Sequence, residues 1–451
     1  MNRRLRMLLL AGISLLTGCA TRESLLRQAT LPVQARTDPS HYVVVTVRND
    51  LQPPMVNPGS TSRGYDAFTT YGVSPRARAA VHELEQNYHL HAVAAWPIAA
   101  LKVHCIVFRL PAFPARSRLL LRLEHDRRVE SAEPLNLFRT AARQTADTLV
   151  RRRSEAGRSY LSLQRNLREL GVLKAQRLSR GAGVRIAVID TGIDYRHPQL
   201  QGRVVLRQNF VHGSGGFTHD RHGTEVAGVI AAIHRNGRGI LGVAPEAHLL
   251  ALKACWPLYP GAVEAECDTF TLALALDAAI TDRANVVNLS LAGPPDPLLA
   301  RLIRYGMRRG IIYVGAVAPS RLGLHRAFPT GIPGVLAVQS GEGPDTSHHL
   351  AAPGHGILTL APGGSYEFAS GSSMATAEVT GAVALLLAKK RHLTAASLDA
   401  VLARSSRRIA IRGGTLTSID AYDALAQALG SACGSAQDGP LAEATPAAAT
   451  P

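Results

Sequence analysis

The chain has 451 residues, with 50 Lys+Arg against 33 Asp+Glu for a formal net charge of +17, and it is 46% hydrophobic and 18% charged. That composition excludes a disordered chain, a collagen-like repeat and a disulfide-dense miniature scaffold, and the length accommodates about two to four domains. The basic excess favours encounters with anionic surfaces but names no chemistry.

At the N-terminus, the basic stretch 2–6 precedes an apolar run, Met7 to Leu16, that is too short to span a bilayer and reads as an export signal over 1–18. It ends in Leu16-Thr17-Gly18-Cys19, which resembles the bacterial lipobox. That resemblance implies cleavage before Cys19, acylation of its thiol and anchoring to membrane lipid, with 19–40 as a tether. Ala20 rather than Asp after the cysteine implies the outer membrane of a bacterial cell envelope.

Residues 41–137 read as strand, helix, strand, strand, helix, strand, from Tyr42–Val47 through Arg76–Tyr88, Ala92–Ile98, Leu101–Leu110 and Ser117–Asp126 to Val129–Leu135. This order predicts a small α+β unit of the ferredoxin-like, split βαβ kind. Cys105 falls in an apolar run and is expected in its core. Residues 139–180 hold ten Arg and one Lys, and Arg151-Arg152-Arg153 shows no apolar periodicity, so 138–158 is expected to be an exposed basic linker open to cleavage. Over 159–432 short β-branched runs alternate with helical patterns, which predicts an α/β domain with a parallel sheet flanked by helices. The Ala/Pro-rich tail, 433–451, is expected to be disordered. Cys255 and Cys267, twelve positions apart, are expected to close a loop as a disulfide in an oxidising compartment, worth about 3 kcal/mol in the chain-entropy account.

Three segments carry chemistry. Val184 to Gly192 is an apolar strand that runs into Asp190, the position at which parallel sheets place their sites. His222-Gly223-Thr224-Glu225-Val226-Ala227-Gly228 opens a helix with an imidazole in its first turn, and Gly371-Ser372-Ser373-Met374-Ala375-Thr376 places a hydroxyl at a strand-to-helix turn. A serine there meets backbone N–H groups and the positive end of a helix, which suits attack on a carbonyl. Taken singly, each of the three is as readily a cap or a surface group. What capping does not explain is the ordered set of carboxylate, imidazole and hydroxyl, each at an element terminus.

These blocks resemble the active-site segments of subtilisin-like serine proteases, the subtilases, in that family's chain order. The resemblance spans about residues 159–430 and includes Asn236 to Pro245 and Val286 to Gly293. It implies Ser373 as nucleophile, His222 as general base and then acid, and Asp190 as the group that orients the imidazole. It further implies a substrate strand added beside Ser290, Leu291, Ala292 and Gly293, with small pocket walls at Ala316, Val317 and Ala318, and protein or peptide substrates. Residues 41–137 likewise resemble the family's propeptide, which implies cleavage within 138–158 and the chain's own propeptide as a partner. If cleavage releases the catalytic part, the lipid stays with the propeptide; if the halves remain associated, both are held at the membrane.

Departures from the family pattern matter as well. Pro319 stands where a subtilase carries the asparagine that donates to the oxyanion, and the handling of that loss falls to the Ser373 N–H and to Ser320, His325 or Arg326. In subtilisin itself, loss of that donor costs about 10² to 10³ in rate. Glu225 and Glu378 replace histidines common in the family, and Ala377 replaces a proline. Asp194 lies where some subtilases bind calcium, but no ligand set accompanies it, so it reads as a surface carboxylate; no metal and no other cofactor is expected. Nucleic acid is excluded as a partner because the arginines gather in the linker and no binding motif accompanies them. The reading is an exported, lipid-anchored serine endopeptidase with an atypical oxyanion site; the alternative is a pseudoprotease lipoprotein that uses the same fold to bind peptides.

Overall fold

Seven residues that are mostly β-branched, Tyr42–Arg48 (YVVVTVR), form strand β1, and the remaining elements of the N-terminal unit follow in the expected order. The computed structural model describes residues 31–50, 72–110, 116–143, 159–211, 216–317, 327–342, 349–411 and 414–430. The export signal, Cys19, Ala318, Pro319, Ser320, His325, Arg326, most of the basic linker and the 433–451 tail lie outside these residues.

Helix α1, Pro75–Tyr88, starts where Ser74 Oγ accepts from Ala77 N at 3.1 Å and proline supplies the first helical residue. Strands β2 (His91–Ile98) and β3 (Val103–Arg109), helix α2 (Arg116–Glu124) and strand β4 (Val129–Pro134) complete the unit. β3 starts two residues later than expected because Lys102 adopts φ 53° and turns the chain. The sheet order is β2-β3-β1-β4 with every pair antiparallel, the ferredoxin-like arrangement. Cys105 is buried in it.

One expectation fails here. Residues 138–143 are not exposed linker: β5 (Leu137–Thr140) and β6 (Ala142–Arg143) are paired strands. Their charge count misled because the pairing is made by main chain, and because Phe138, fully buried, anchors the segment.

The larger unit is built on a seven-stranded parallel sheet. Its members are β7 (Arg185–Asp190), β8 (Val204–Asn209), β9 (His248–Lys253), β12 (Val286–Leu289), β14 (Ile312–Ala316), β15 (Leu336–Ser340) and β16 (Leu350–Ala352). They lie in the order β16-β15-β14-β12-β7-β9-β8. Between them run α3 (Arg221–Ala231), the hairpin β10 (Cys255–Pro257) and β11 (Ala265–Asp268), α4 (Thr269–Thr281), β13 (Leu291–Ala292) and α5 (Pro297–Arg308). The hairpin β17 (Ile357–Ala361) and β18 (Ser365–Gly371) precedes the long helix α6 (Ser372–Lys389). Alternation in β7 divides the core: Ile186 and Val188 join the cluster with α3 and α6, while Ala187 and Ile189 join the one with α4 and α5. The N-terminal sheet belongs to the second cluster, since Val44, Trp96, Cys105 and Val107 pack into it and Trp96 meets Phe270 edge-on at 4.5 Å. Glu133 adds a polar tie by accepting from Leu298 N at 3.1 Å in the first turn of α5. Among the described residues no helix is long and apolar enough to cross a membrane.

The core of α6 contains one acid. Glu378 is fully buried, accepts from Asn166 Nδ2 at 2.8 Å on one oxygen and has no partner on the other among the described residues. Burial, reinforced by the Glu342 and Glu169 carboxylates, pushes its carboxyl well above the usual range. A raised carboxyl keeps its proton in the fold, so its contribution to stability is whole below about pH 4 and is lost as pH rises through the raised value. Glu378→Gln keeps an acceptor for Asn166 and removes the charge. Thermal unfolding of the two chains should therefore coincide near pH 4, with the Gln variant the more stable at pH 8.

Candidate active site

Asp190 is the last residue of β7 and is fully buried. Its Oδ1 accepts from Thr191 N at 2.6 Å and lies 2.7 Å from His222 Nδ1. His222, also buried, is the second residue of α3, whose N-cap is Asp220. With Nδ1 held by the carboxylate, Nε2 is the nitrogen left to take a proton, and it has no hydrogen-bond partner among the described residues. Gly371 forms the turn into α6 with φ 138°, a conformation that L side chains rarely adopt, and the turn delivers Ser373 as the second helical residue. The Ser373 hydroxyl donates to Ser290 O at 3.1 Å, and Ser290 Oγ donates in turn to Ser373 O, also at 3.1 Å. Asp190 and His222 thus meet at the carboxyl rim of the sheet, whereas the Ser373 hydroxyl is turned toward Ser290 and not toward the imidazole.

The cleft is occupied by the chain itself. β5 pairs antiparallel with β13 on one side, Leu291 opposite Thr140 and Ala292 opposite Arg139. On the other side it pairs with β11, Cys267 opposite Phe138 and Glu266 opposite Arg139. Ala141 N donates to Ser290 O at 3.0 Å, and Ala141 O accepts from Ser373 N at 3.4 Å. Beyond it β6 pairs with β18, Ala142 opposite Gly371. A carbonyl therefore lies at the backbone N–H of the expected nucleophile, with main chain paired on both sides of it. Phe138 is fully buried, packs edge-on against Phe328 at 5.1 Å and crosses Gly293, where a Cβ would collide with its ring. Leu291 and Ala292 thus pair with residues 139–140, Ser290 O accepts from Ala141 N, and Gly293 exchanges main-chain bonds with Phe328. Ala316 ends β14, and Val317 O accepts from Ser372 Oγ at 3.3 Å. Pro319, lying outside the described residues, is not placed.

The site's surroundings hold groups that the sequence reading missed. Lys253, fully buried at the end of β9, is ion-paired to Asp220, whose Oδ2 also accepts from Gly192 N at 2.8 Å. That pair pins the turn after Asp190 to the start of α3, the two elements that carry Asp190 and His222. Its signal was an aspartate two residues ahead of the histidine and a lone lysine closing an apolar strand. Glu225, one turn after His222 and buried, lies 3.7 Å from Arg221 Nε, while Arg221 also pairs with Glu367. Burial and the Glu367 carboxylate push the Glu225 carboxyl well above its usual range. The Cys255–Cys267 disulfide is formed, directly across β10 and β11.

Asp194 corrects another expectation. It is buried and not a surface carboxylate, with its oxygens committed to Arg196 N at 3.2 Å and Gly363 N at 2.9 Å. Among the described residues no group of three or more His, Cys, Asp or Glu side chains is arranged to hold a metal ion.

The fold is that of the subtilisin-like α/β class. Residues 181–431 match the family model described as the subtilase family, and the chain belongs to that family, whose members are serine endopeptidases. Its relatives include an intracellular serine protease of Paenibacillus polymyxa, 34% identical over 227 residues, which are 46% of this chain and 68% of that protein. Thermitase of Thermoactinomyces vulgaris is 29% identical over 265 residues, 56% of this chain and 92% of that one. Among solved structures the chain is similar to fervidolysin of Fervidobacterium pennivorans, described as a keratinolytic enzyme related to subtilisin. That structure aligns at a TM-score of 0.64 with 21% identity over 85% of this chain and 60% of its own, a likeness of fold.

Breaking a buried ion pair from one side leaves an uncompensated charge, typically about 3–5 kcal/mol. Lys253→Met should destabilise the chain by roughly that amount in chemical denaturation at neutral pH, whereas Lys253→Met combined with Asp220→Asn should recover part of the loss.

Proposed function

We propose that the chain is an exported serine endopeptidase that acts through Ser373, His222 and Asp190, and that its first substrate is its own Ala141–Ala142 bond. The observation that supports this most directly is the ladder that carries residues 137–143 past Ser373 with Ala141 O at the Ser373 N–H. That bond falls within the stretch 138–158 in which the sequence suggests processing.

In this reading the Ser373 hydroxyl leaves Ser290 O, gives its proton to His222 Nε2 and bonds to the Ala141 carbonyl carbon. The charge that develops on Ala141 O is received by the Ser373 N–H, already aimed at it. Asp190 holds the imidazole by Nδ1 and stabilises it once protonated. The proton then passes to the Ala142 nitrogen as the peptide bond breaks, and water hydrolyses the acyl-enzyme by the same steps in reverse order. Pro319 removes one usual donor from this site, so the rate should fall below that of a subtilase with the asparagine in place, by about 10² to 10³ if nothing substitutes for it.

Purified full-length chain should convert to a form whose N-terminal residue is Ala142. Ser373→Ala should remain uncut and should not react with a fluorophosphonate that labels the parent. Absence of labelling in the parent, indistinguishable from Ser373→Ala, would favour the binding-only alternative.

The N-terminal unit is proposed to stay bound after the cut, through β5, the Trp96–Phe270 contact and Glu133 on α5, so that a lipid on Cys19 holds both halves at an envelope membrane. Cys19→Ala should move both halves to the soluble fraction. Appearance of the catalytic half alone in the soluble fraction of the parent would show instead that processing releases it.

A further inference from the structure

The hairpin β10–β11 does more than extend the sheet. It is closed by Cys255–Cys267, it flanks the segment in the cleft, and two of its residues touch consecutive side chains of that segment. Glu266 stands directly opposite Arg139, with Oε1 3.0 Å from Nε and 2.9 Å from a terminal guanidinium nitrogen. The carboxylate side chain is only 14% exposed while the arginine is 71% exposed, so the acid is a fixture of the cleft wall and the base is its visitor. On the opposite side of Arg139 stands Ala292, which offers no competing charge. One residue further on, beyond the last paired position of β5 and β11, Ala265 N donates to Thr140 Oγ1 at 3.0 Å, and both residues are buried.

We infer that this hairpin is the selectivity element of the endopeptidase, and that it selects a basic residue at the third position and a threonine or serine at the second position before the cleaved bond. The inference rests on the proposed self-cleavage after Ala141, which makes Arg139 and Thr140 those two positions. Main-chain pairing with Leu291 and Ala292 accepts any extended peptide, whereas Glu266 and Ala265 N each accept only a side chain of the right chemistry. A replacement lacking the hydroxyl leaves a buried N–H without a partner, and an acid opposite Glu266 sets like charges directly across a strand pair.

The test uses the processed full-length preparation and fluorogenic peptides spanning Phe-Arg-Thr-Ala-Ala-Arg, the sequence of residues 138–143. Replacing the first arginine by alanine should lower kcat/KM about fivefold and by glutamate about twentyfold, with the gap narrowing at high salt. Replacing threonine by valine should lower it about tenfold. In Glu266→Lys the arginine and glutamate peptides should exchange rank while the valine penalty persists. Equal rates within twofold across the arginine, alanine and glutamate peptides, or an unchanged ranking in Glu266→Lys, would overturn the inference. If no peptide is cut, the endopeptidase reading falls, and the pairing is decided on the uncut Ser373→Ala chain. There, Arg139→Glu should make the 137–143 segment more susceptible to an added protease and Glu266→Lys should restore its protection; unchanged susceptibility would overturn the selective pairing independently of any catalysis.

Discussion

The ladder that holds residues 137–141 between β13 and β11 is the interaction on which the rest of the site depends. It is made of main-chain bonds, so it fixes direction and register without regard to most side chains, and that register places Ala141 O at the Ser373 N–H. A shift by one residue would turn Phe138 out of its place against Phe328 and Gly293 and carry Arg139 away from Glu266. Affinity and alignment are therefore one property here, supplied by the backbone, and selectivity is a second, supplied by a few side chains along the walls.

Around that ladder the molecule buries more charge than its apolar core would suggest. Asp190 Oδ1 and His222 Nδ1 are paired, and Lys253 is paired with Asp220 a few residues away. Among the described residues, Glu225 and Glu378 are held in the interior without an equivalent cation at hydrogen-bond distance. The first two arrangements cost desolvation and return it as mutual attraction and geometry. The second two cost desolvation and return it by keeping a proton, which ties the fold's stability to pH. Both glutamates stand on the helices that carry His222 and Ser373, so the departures from the family's usual histidines alter the setting of those two residues.

The N-terminal unit and the larger unit meet in a shared apolar cluster. One face of the four-stranded sheet closes its own core beneath α1 and α2, and the other contributes Val44, Trp96, Cys105 and Val107 to the cluster around α4 and α5. An antiparallel sheet with two apolar faces must cover both. Here the second cover is supplied by the catalytic half, which gives the N-terminal unit an attachment that does not depend on the peptide bond at Ala141.

By itself the sequence determined the element order of both units, the parallel sheet, and the placing of Asp190, His222 and Ser373 at element termini, because periodicity and element termini are local properties written in neighbouring residues. Strand ends drifted by a residue or two where a turn such as the one at Lys102 overrode the apolar pattern. Residues 138–143 read as linker because a strand paired through its backbone needs no apolar alternation, and Asp194 read as surface because nothing local announces that Arg196 N and Gly363 N will enclose it. Only the tertiary structure decided what lies in the cleft, that Lys253 reaches Asp220, and that Glu266 faces Arg139 across 127 positions of chain. Those pairings join segments remote in sequence, and their energies arise from burial and register that exist only once the sheet has brought the segments together.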